Sequence, residues 1–312
     1  MPGTKLGTPW EVPSGRFGLS CWCAMLNIKK ICLPVDFPNA SLRLIHQAAT
    51  LAHHFRSEIV MLHVVTPQSH AAGVPQGSSE LANWDLLAEI IRRAQKNRDQ
   101  TLESELNGLT VHRIFASGDP AQAIVETAQQ EKVDLIMMPS RGYTFNQFLL
   151  GSVTAKVLQV TECPIWTGPH AEDSPVQKFG IRNVLCAVDL NSHNRKSVSW
   201  AAQMAAEFGA GLTLAHVTAG VESWGPGGSY VNPRWKRELV SNASQHIAEL
   251  QQAMGIKAEV FIGSGDTPKV LSQAVKETKA DLLVNGCYPY GGNLRTHGYA
   301  IIRAVPIPIL SV

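Results

Sequence analysis

An internal duplication constrains this chain more than any other feature. Lys30–Val65 aligns without a gap against Asn183–Thr218, placing Asp36 on Asp189 and His63 on His216, 153 positions apart. Further on, Ser117-Gly118-Asp119 falls on Ser264-Gly265-Asp266 and Val133-Asp134-Leu135 on Ala280-Asp281-Leu282, now 147 apart. Cys163-Pro164 falls on Ile307-Pro308 at 144. The shrinking offset means that the second copy has lost residues at two places. A repeat of this length is a whole domain, and 312 residues divide naturally into two. The expected division is an extension over 1–24, a first domain over 25–169, a linker over 170–180 containing Pro175, and a second domain over 181–312.

Each copy alternates strand and helix. In the first, Ile31–Val35 is a short apolar strand, and Asn39 can cap a helix running to about Arg56. Glu58–Val65 is the next strand, and Pro67–Ser79 is a loop rich in Gly, Ser and Pro. Leu81–Leu106 carries a helical apolar face, Leu109–Phe115 alternates as a strand, and Ala121–Gln130 is a helix. Val133–Met138 and the segment around Ile165-Trp166 supply two more strands. Strands alternating with helices predict a parallel sheet with right-handed crossovers, so the fold class is α/β, two tandem doubly wound sheets of five strands.

Bulk properties exclude several functions. A net charge of +2 gives no basic field for nucleic acid, and no apolar run reaches bilayer length. Phe17–Leu26 follows Arg16 but lacks the leucine-rich centre of a secretory signal. Cys32 and Cys186 fall inside apolar runs, where a thiol is a small core residue, and the six cysteines form no framework. A cytoplasmic protein is the expectation. There is no GxSxG elbow, Walker A, HExxH or CxxC, so no catalytic set and no metal set is read. His46, His53 and His54 share one predicted helix without the usual ligand spacing. His63 and His216, at matched strand positions, are expected to be structural.

The chemistry concentrates in Val133–Pro164. A buried strand ends at Pro139, Ser140-Arg141-Gly142 opens a loop, and Gly151-Ser152 stands where a helix through Leu158 should begin. A helix start presents unpaired N–H groups and the positive end of the peptide dipoles, and nearby glycines let phosphate oxygens approach. The alternative is a tight loop with Ser152 as an ordinary capping serine.

The stretch resembles the phosphate-binding signature of the universal stress protein family: glycine, two residues, glycine, nine residues, then glycine and serine or threonine. Gly142, Gly151 and Ser152 match its last three fixed positions. Pro139 replaces the first glycine, and eight residues rather than nine separate Gly142 from Gly151. The resemblance covers Lys29–Val312 and implies an adenine-nucleotide α-hydrolase-like fold with strand order 3-2-1-4-5. It also implies an ATP-like adenine nucleotide in the first domain, with no metal beyond nucleotide-bound Mg. Pro34, Val35 and Asp36 would line the adenine side, with Val64 near it and Met138 beside the base. Arg141 could pair with phosphate oxygens, and Gly142, Gly151, Ser152 and Val153 would hold them. Asp36 has a plainer role available, ending a strand and capping the helix after it. Family chains start shortly before the first strand, which marks Met25 as a candidate start.

In the second copy Gly286-Cys287-Tyr288-Pro289 replaces the first half of the signature, and Arg295 and Thr296 take the places of Gly151 and Ser152. That half is read as degenerate, with Tyr288–Gly292 as a packing or dimer-contact element. Two readings lead, and a third, an enzyme hydrolysing a nucleotide α-phosphate bond, lacks any visible base or metal set. The first is a regulatory nucleotide-binding protein, not an enzyme. The other is a nucleotide-free dimerisation or partner-interaction module. The expected partners are a nucleotide, the two domains paired about a pseudo-twofold, and a homodimer.

Overall fold

A computed structural model of the chain describes residues 26–35, 42–65, 104–140, 150–168, 179–190, 194–220, 222–225, 228–231, 233–286 and 294–312. The expected helix over Leu81–Leu106 lies almost wholly outside these residues. So do Asn39, the extension over 1–24 and the loop Tyr288–Gly292.

The chain divides into two compact units, one of them Asn27–Phe179 and the other containing Gly180–Val312. The first runs β1 (Lys30–Pro34), α1 (Leu42–Phe55), β2 (Glu58–Val65), β3 (Val111–Ser117), α2 (Pro120–Gln130), β4 (Leu135–Pro139), α3 (Ser152–Val160) and β5 (Ile165–Gly168). Its strands lie in the order β3-β2-β1-β4-β5, and every pair is parallel. The second unit runs β6 (Asn183–Ala187), α4 (Asn194–Phe208), β7 (Gly211–Thr218), a hairpin of β8 (Glu222–Gly225) and β9 (Gly228–Val231), and α5 (Pro233–Met254). It continues with β10 (Glu259–Ser264), α6 (Thr267–Thr278), β11 (Leu282–Asn285), α7 (Leu294–Ala304) and β12 (Ile309–Ser311). Its order, β10-β7-β6-β11-β12, is the same 3-2-1-4-5 path with parallel pairs throughout.

The burial pattern explains the apolar runs. Ile31, Cys32 and Leu33 of β1 are fully buried, as a parallel strand covered on both faces must be. Helix α1 turns Leu44, Ile45, Ala48, Leu51 and Ala52 to the sheet, a single face at helical spacing. Trp166 of β5 is fully buried, donates from Nε1 to Gln47 Oε1 on α1 at 3.0 Å, and packs its edge against Phe179. Burial pushes the thiols of Cys32 and Cys186 up to about 12, which leaves both as inert core residues.

The duplication extends to single hydrogen bonds. Asp134 Oδ2 accepts from the amides of Lys29 (2.7 Å) and Lys30 (2.9 Å), and Asp281 Oδ2 from those of Arg182 (2.8 Å) and Asn183 (3.1 Å). In each unit this carboxylate, just before the fourth strand, ties down the start of the first. Asp119 and Asp266 cap α2 and α6 at matched positions. Several expected boundaries shift: β1 is Lys30–Pro34 rather than Ile31–Val35, β4 begins at Leu135 rather than Val133, and β3 begins at Val111 rather than Leu109. Leu106–Leu109 closes a turn first, with Leu109 N–H on Leu106 O at 3.1 Å and Gly108 at φ 77°.

Candidate functional site

In a sheet of this order the first and fourth strands are neighbours, while the chain leaves them toward opposite edges. The carboxyl ends of β1 and β4 therefore open onto a crevice at the point where strand order reverses. Pro34 is the last residue of β1 and is half-buried, and Val35 follows it at 7% exposure. Val64 is half-buried near the end of β2. Met138, the penultimate residue of β4, is 3% exposed and sits in the core. Asp36, Arg141 and Gly142 lie outside the described residues.

The start of α3 is built from β4. Gly151 is its N-cap, with φ −56° and ψ 133°, and donates its own amide to Ser140 O at 3.1 Å. The first helical bond runs from Ala155 N–H to Gly151 O at 2.9 Å. Thr154 Oγ1 donates to Pro139 O at 2.9 Å, which fastens the first turn of α3 to the end of β4. Among the described residues no acceptor is seen for the amides of Ser152, Val153 and Thr154, the three donors this helix start leaves over once Gly151 is paired. Ser152 is exposed and Val153 half-buried. Their N–H groups lie at the positive end of the α3 dipole, where a helix start favours negative charge.

One sequence reading needs amendment here. Ser152 is not a capping serine: the cap is Gly151, no side chain closes it, and Ser152 is the first helical residue. The φ of −56° at Gly151 suits any residue, so what distinguishes the glycine is its absent Cβ. Thr154, whose hydroxyl holds the two elements together, was not singled out from sequence. Its signal was a β-branched hydroxyl residue in the first helical turn, facing back toward the strand.

The second unit builds this corner differently. Val305 N–H bonds Ile301 O at 3.0 Å where Thr161 N–H bonds Val157 O at 3.1 Å, fixing the register between α7 and α3. In that register Arg295 occupies the position of Gly151, and α7 starts at Leu294, ahead of it. Gly298 replaces Thr154, so the hydroxyl link to the fourth strand is gone. Asn285 and Ser311, both buried, replace Met138 and Thr167, and Ser311 Oγ donates to Asn285 Oδ1 at 2.9 Å.

The remaining candidates have structural roles. His46 Nδ1 lies 2.9 Å from Glu105 Oε2, tying α1 to the turn before β3. His63 and His216 each donate from Nδ1 to a carbonyl, Val35 O at 2.9 Å and Val188 O at 2.7 Å. Among the described residues no cluster of His, Cys, Asp and Glu could hold a metal, and no helix is long and apolar enough to cross a membrane.

Comparison with known proteins gives one answer for both units. The profile of the Universal stress protein family matches residues 27–167 and 180–311. A universal stress protein of Methanocaldococcus jannaschii is 32% identical over 140 residues, covering 44% of this chain and 79% of that protein. One from Bacillus subtilis is 28% identical over 144 residues, covering 44% of this chain and 95% of its own length. Among solved structures, a universal stress protein from Archaeoglobus fulgidus superposes with a TM-score of 0.66 at 21% identity, over 91% of this chain and 96% of that one. The likeness to that structure is one of fold.

Proposed function

The chain belongs to the universal stress protein family, with two tandem domains, and from that premise we propose that it binds an ATP-like adenine nucleotide in the first domain. The observation that supports this best is the start of α3, whose first amides have no acceptor among the described residues and whose first turn is fastened to the end of β4 by Thr154. The adenine would lie against Pro34, Val35 and Val64, with Met138 and Asp36 at its edge. The phosphates would take the α3 amides, the space beside Gly151, and the loop carrying Arg141 and Gly142. Magnesium would arrive with the nucleotide. The role is regulatory, in a stress response: occupancy favours one conformation or partner over another, and no chemistry on the nucleotide is required.

The second domain is proposed to hold no nucleotide. In the repeat register an arginine, Arg295, stands where the first domain has Gly151, and the proposal requires glycine there for phosphate to approach the backbone. This domain serves instead as a dimerisation or partner-interaction unit.

The test is a titration of the full chain with Mg-ATP followed by thermal melting, with native mass spectrometry for stoichiometry. One nucleotide per chain is expected. At a hundredfold excess over Kd the folded state should gain about 2.7 kcal/mol, read as a saturable rise in Tm. A Tm that ignores ATP, in protein shown to be free of bound nucleotide, would leave the partner-interaction reading for both domains.

A further inference from the structure

The two histidines matched by the duplication make the same bond at a telling place. His63 lies on β2 and donates from Nδ1 to the carbonyl of Val35, the residue immediately after β1. The amide of Val35 in turn donates to Leu62 O at 2.8 Å. Both backbone groups of Val35 are thus held by consecutive residues of β2, one by main chain and one by a side chain. A carbonyl only accepts, so the proton sits on Nδ1. In the second domain Val188 N–H bonds Ala215 O at 2.8 Å, and His216 Nδ1 bonds Val188 O at 2.7 Å. The His63 ring also meets that of Phe115 on β3 in a T-shaped contact, with centroids 6.1 Å apart.

A peptide unit is planar, so fixing the Val35 oxygen fixes the plane through which the chain leaves β1. The main-chain pairing of β1 with β2 ends at Pro34 and Leu62. Without the imidazole, the next carbonyl would be free to turn. We propose that His63 is a positioning residue of the first-domain crevice: by pinning Val35 O it holds the end of β1 in the orientation the ligand meets. This rests on the nucleotide reading for its effect on affinity, but not for its effect on the strand end. The second domain carries the same latch beside a corner with Arg295 in the register of Gly151, and so supplies an internal control.

The experiment uses the full chain and four variants, His63→Leu, His63→Asn, His63→Gln and His216→Leu. The Asn amide reaches the Nδ1 position, whereas that of Gln reaches Nε2. Calorimetric titration with Mg-ATP, denaturant unfolding, and amide exchange of residues 31–35 are measured on each. His63→Leu should bind ATP about tenfold more weakly, the worth of one well-placed hydrogen bond, with faster exchange at 31–35. His63→Asn should recover both, and His216→Leu should lose similar stability with unchanged affinity. His63→Gln takes the place of His63→Leu if the latter fails to fold. Unchanged affinity in His63→Leu, or equal losses in the Leu and Asn variants, would reduce His63 to a packing residue and overturn the proposal. If the parent chain binds no ATP, the nucleotide reading fails by itself. Exchange at 31–35 then judges the latch: acceleration in His63→Leu with recovery in His63→Asn supports it, and no change refutes it.

Discussion

The two domains share a frame and differ at one corner. The frame is reproduced to individual bonds: a carboxylate tying the first strand to the fourth, an aspartate capping the helix after the third strand, and a histidine holding the carbonyl after the first. The corner where the fourth strand hands over to the last helix is not reproduced. In the first domain it has Gly151, Ser152 and Thr154 above Met138; in the second it has Arg295, Thr296 and Gly298 above Asn285. Bonds that serve the sheet kept their partners after duplication. Groups that would serve a ligand did not, which is the pattern expected when one site keeps an occupant and the other loses it.

The largest expected effect tests how differently the two cores are built. Trp166 falls on Leu310 in the repeat, and both are buried. Trp166→Ala should cost about 3–5 kcal/mol from its cavity. It should exceed Leu310→Ala by at least about 1 kcal/mol, because it also strands the buried Gln47 amide. Denaturant unfolding of both variants measures this; equal losses would mean that the Trp166–Gln47 bond adds nothing.

Gly151→Arg carries the second domain's residue into the first. The backbone there accepts any residue, so the fold should persist while the ATP-dependent stabilisation, about 2.7 kcal/mol at a hundredfold excess, disappears. Thermal melting with and without Mg-ATP decides it, and an undiminished shift would move the phosphate site elsewhere. The reverse change, Arg295→Gly, should create no binding, because the second loop is shorter by three residues and Thr154 has no counterpart there.

Ser311→Ala removes the donor to Asn285 Oδ1 and leaves a buried amide oxygen unpaired, costing about 1–3 kcal/mol. The double change Asn285→Met with Ser311→Thr restores the first domain's pairing and should be close to neutral. Chemical denaturation compares the single and double variants; a neutral Ser311→Ala would show that the polar pair is not holding β11 to β12.

The smallest effect is electrostatic. The amide of Gln122 and then the ammonium of Lys156 hold the Asp119 carboxyl below its usual range, and Ala300 stands where a partner like Lys156 would be needed in the second domain. A depressed carboxylate contributes stability that is present above its unfolded pKa and lost as pH falls through the folded one. Asp119→Asn should therefore flatten the acid limb of the stability–pH curve slightly, an exposed pair being well screened. An unchanged acid limb would remove Asp119 from the comparison.

Most of the frame was legible because duplication doubles every signal. An apolar run that appears twice at one offset is a strand, and the matched Asp119 and Asp266, or His63 and His216, announce roles shared by both copies. What those roles were was partly hidden. Asp134 and Asp281 showed only as aligned letters, yet each reaches back about a hundred residues to bind two amides, a contact no local pattern encodes. The hairpin β8–β9 was missed although Trp224-Gly225 and Gly228-Ser229 flank a proline and a glycine, a turn composition between strand-forming residues. At the site, spacing located the start of α3 but not its cap. A serine after a glycine reads as a capping residue, and only the geometry shows the glycine in that role. Pro139 stood out only as a departure from the family signature, whereas its carbonyl accepts the bond that fastens α3 to β4.

The most direct test of the contrast between the domains is amide hydrogen exchange on the full chain with and without saturating Mg-ATP. Protection should appear at the end of β1, at 31–35, and at the start of α3, at 151–155, with 183–188 and 294–298 unchanged. Protection at the second pair of segments, or at neither, would contradict a nucleotide site confined to the first domain.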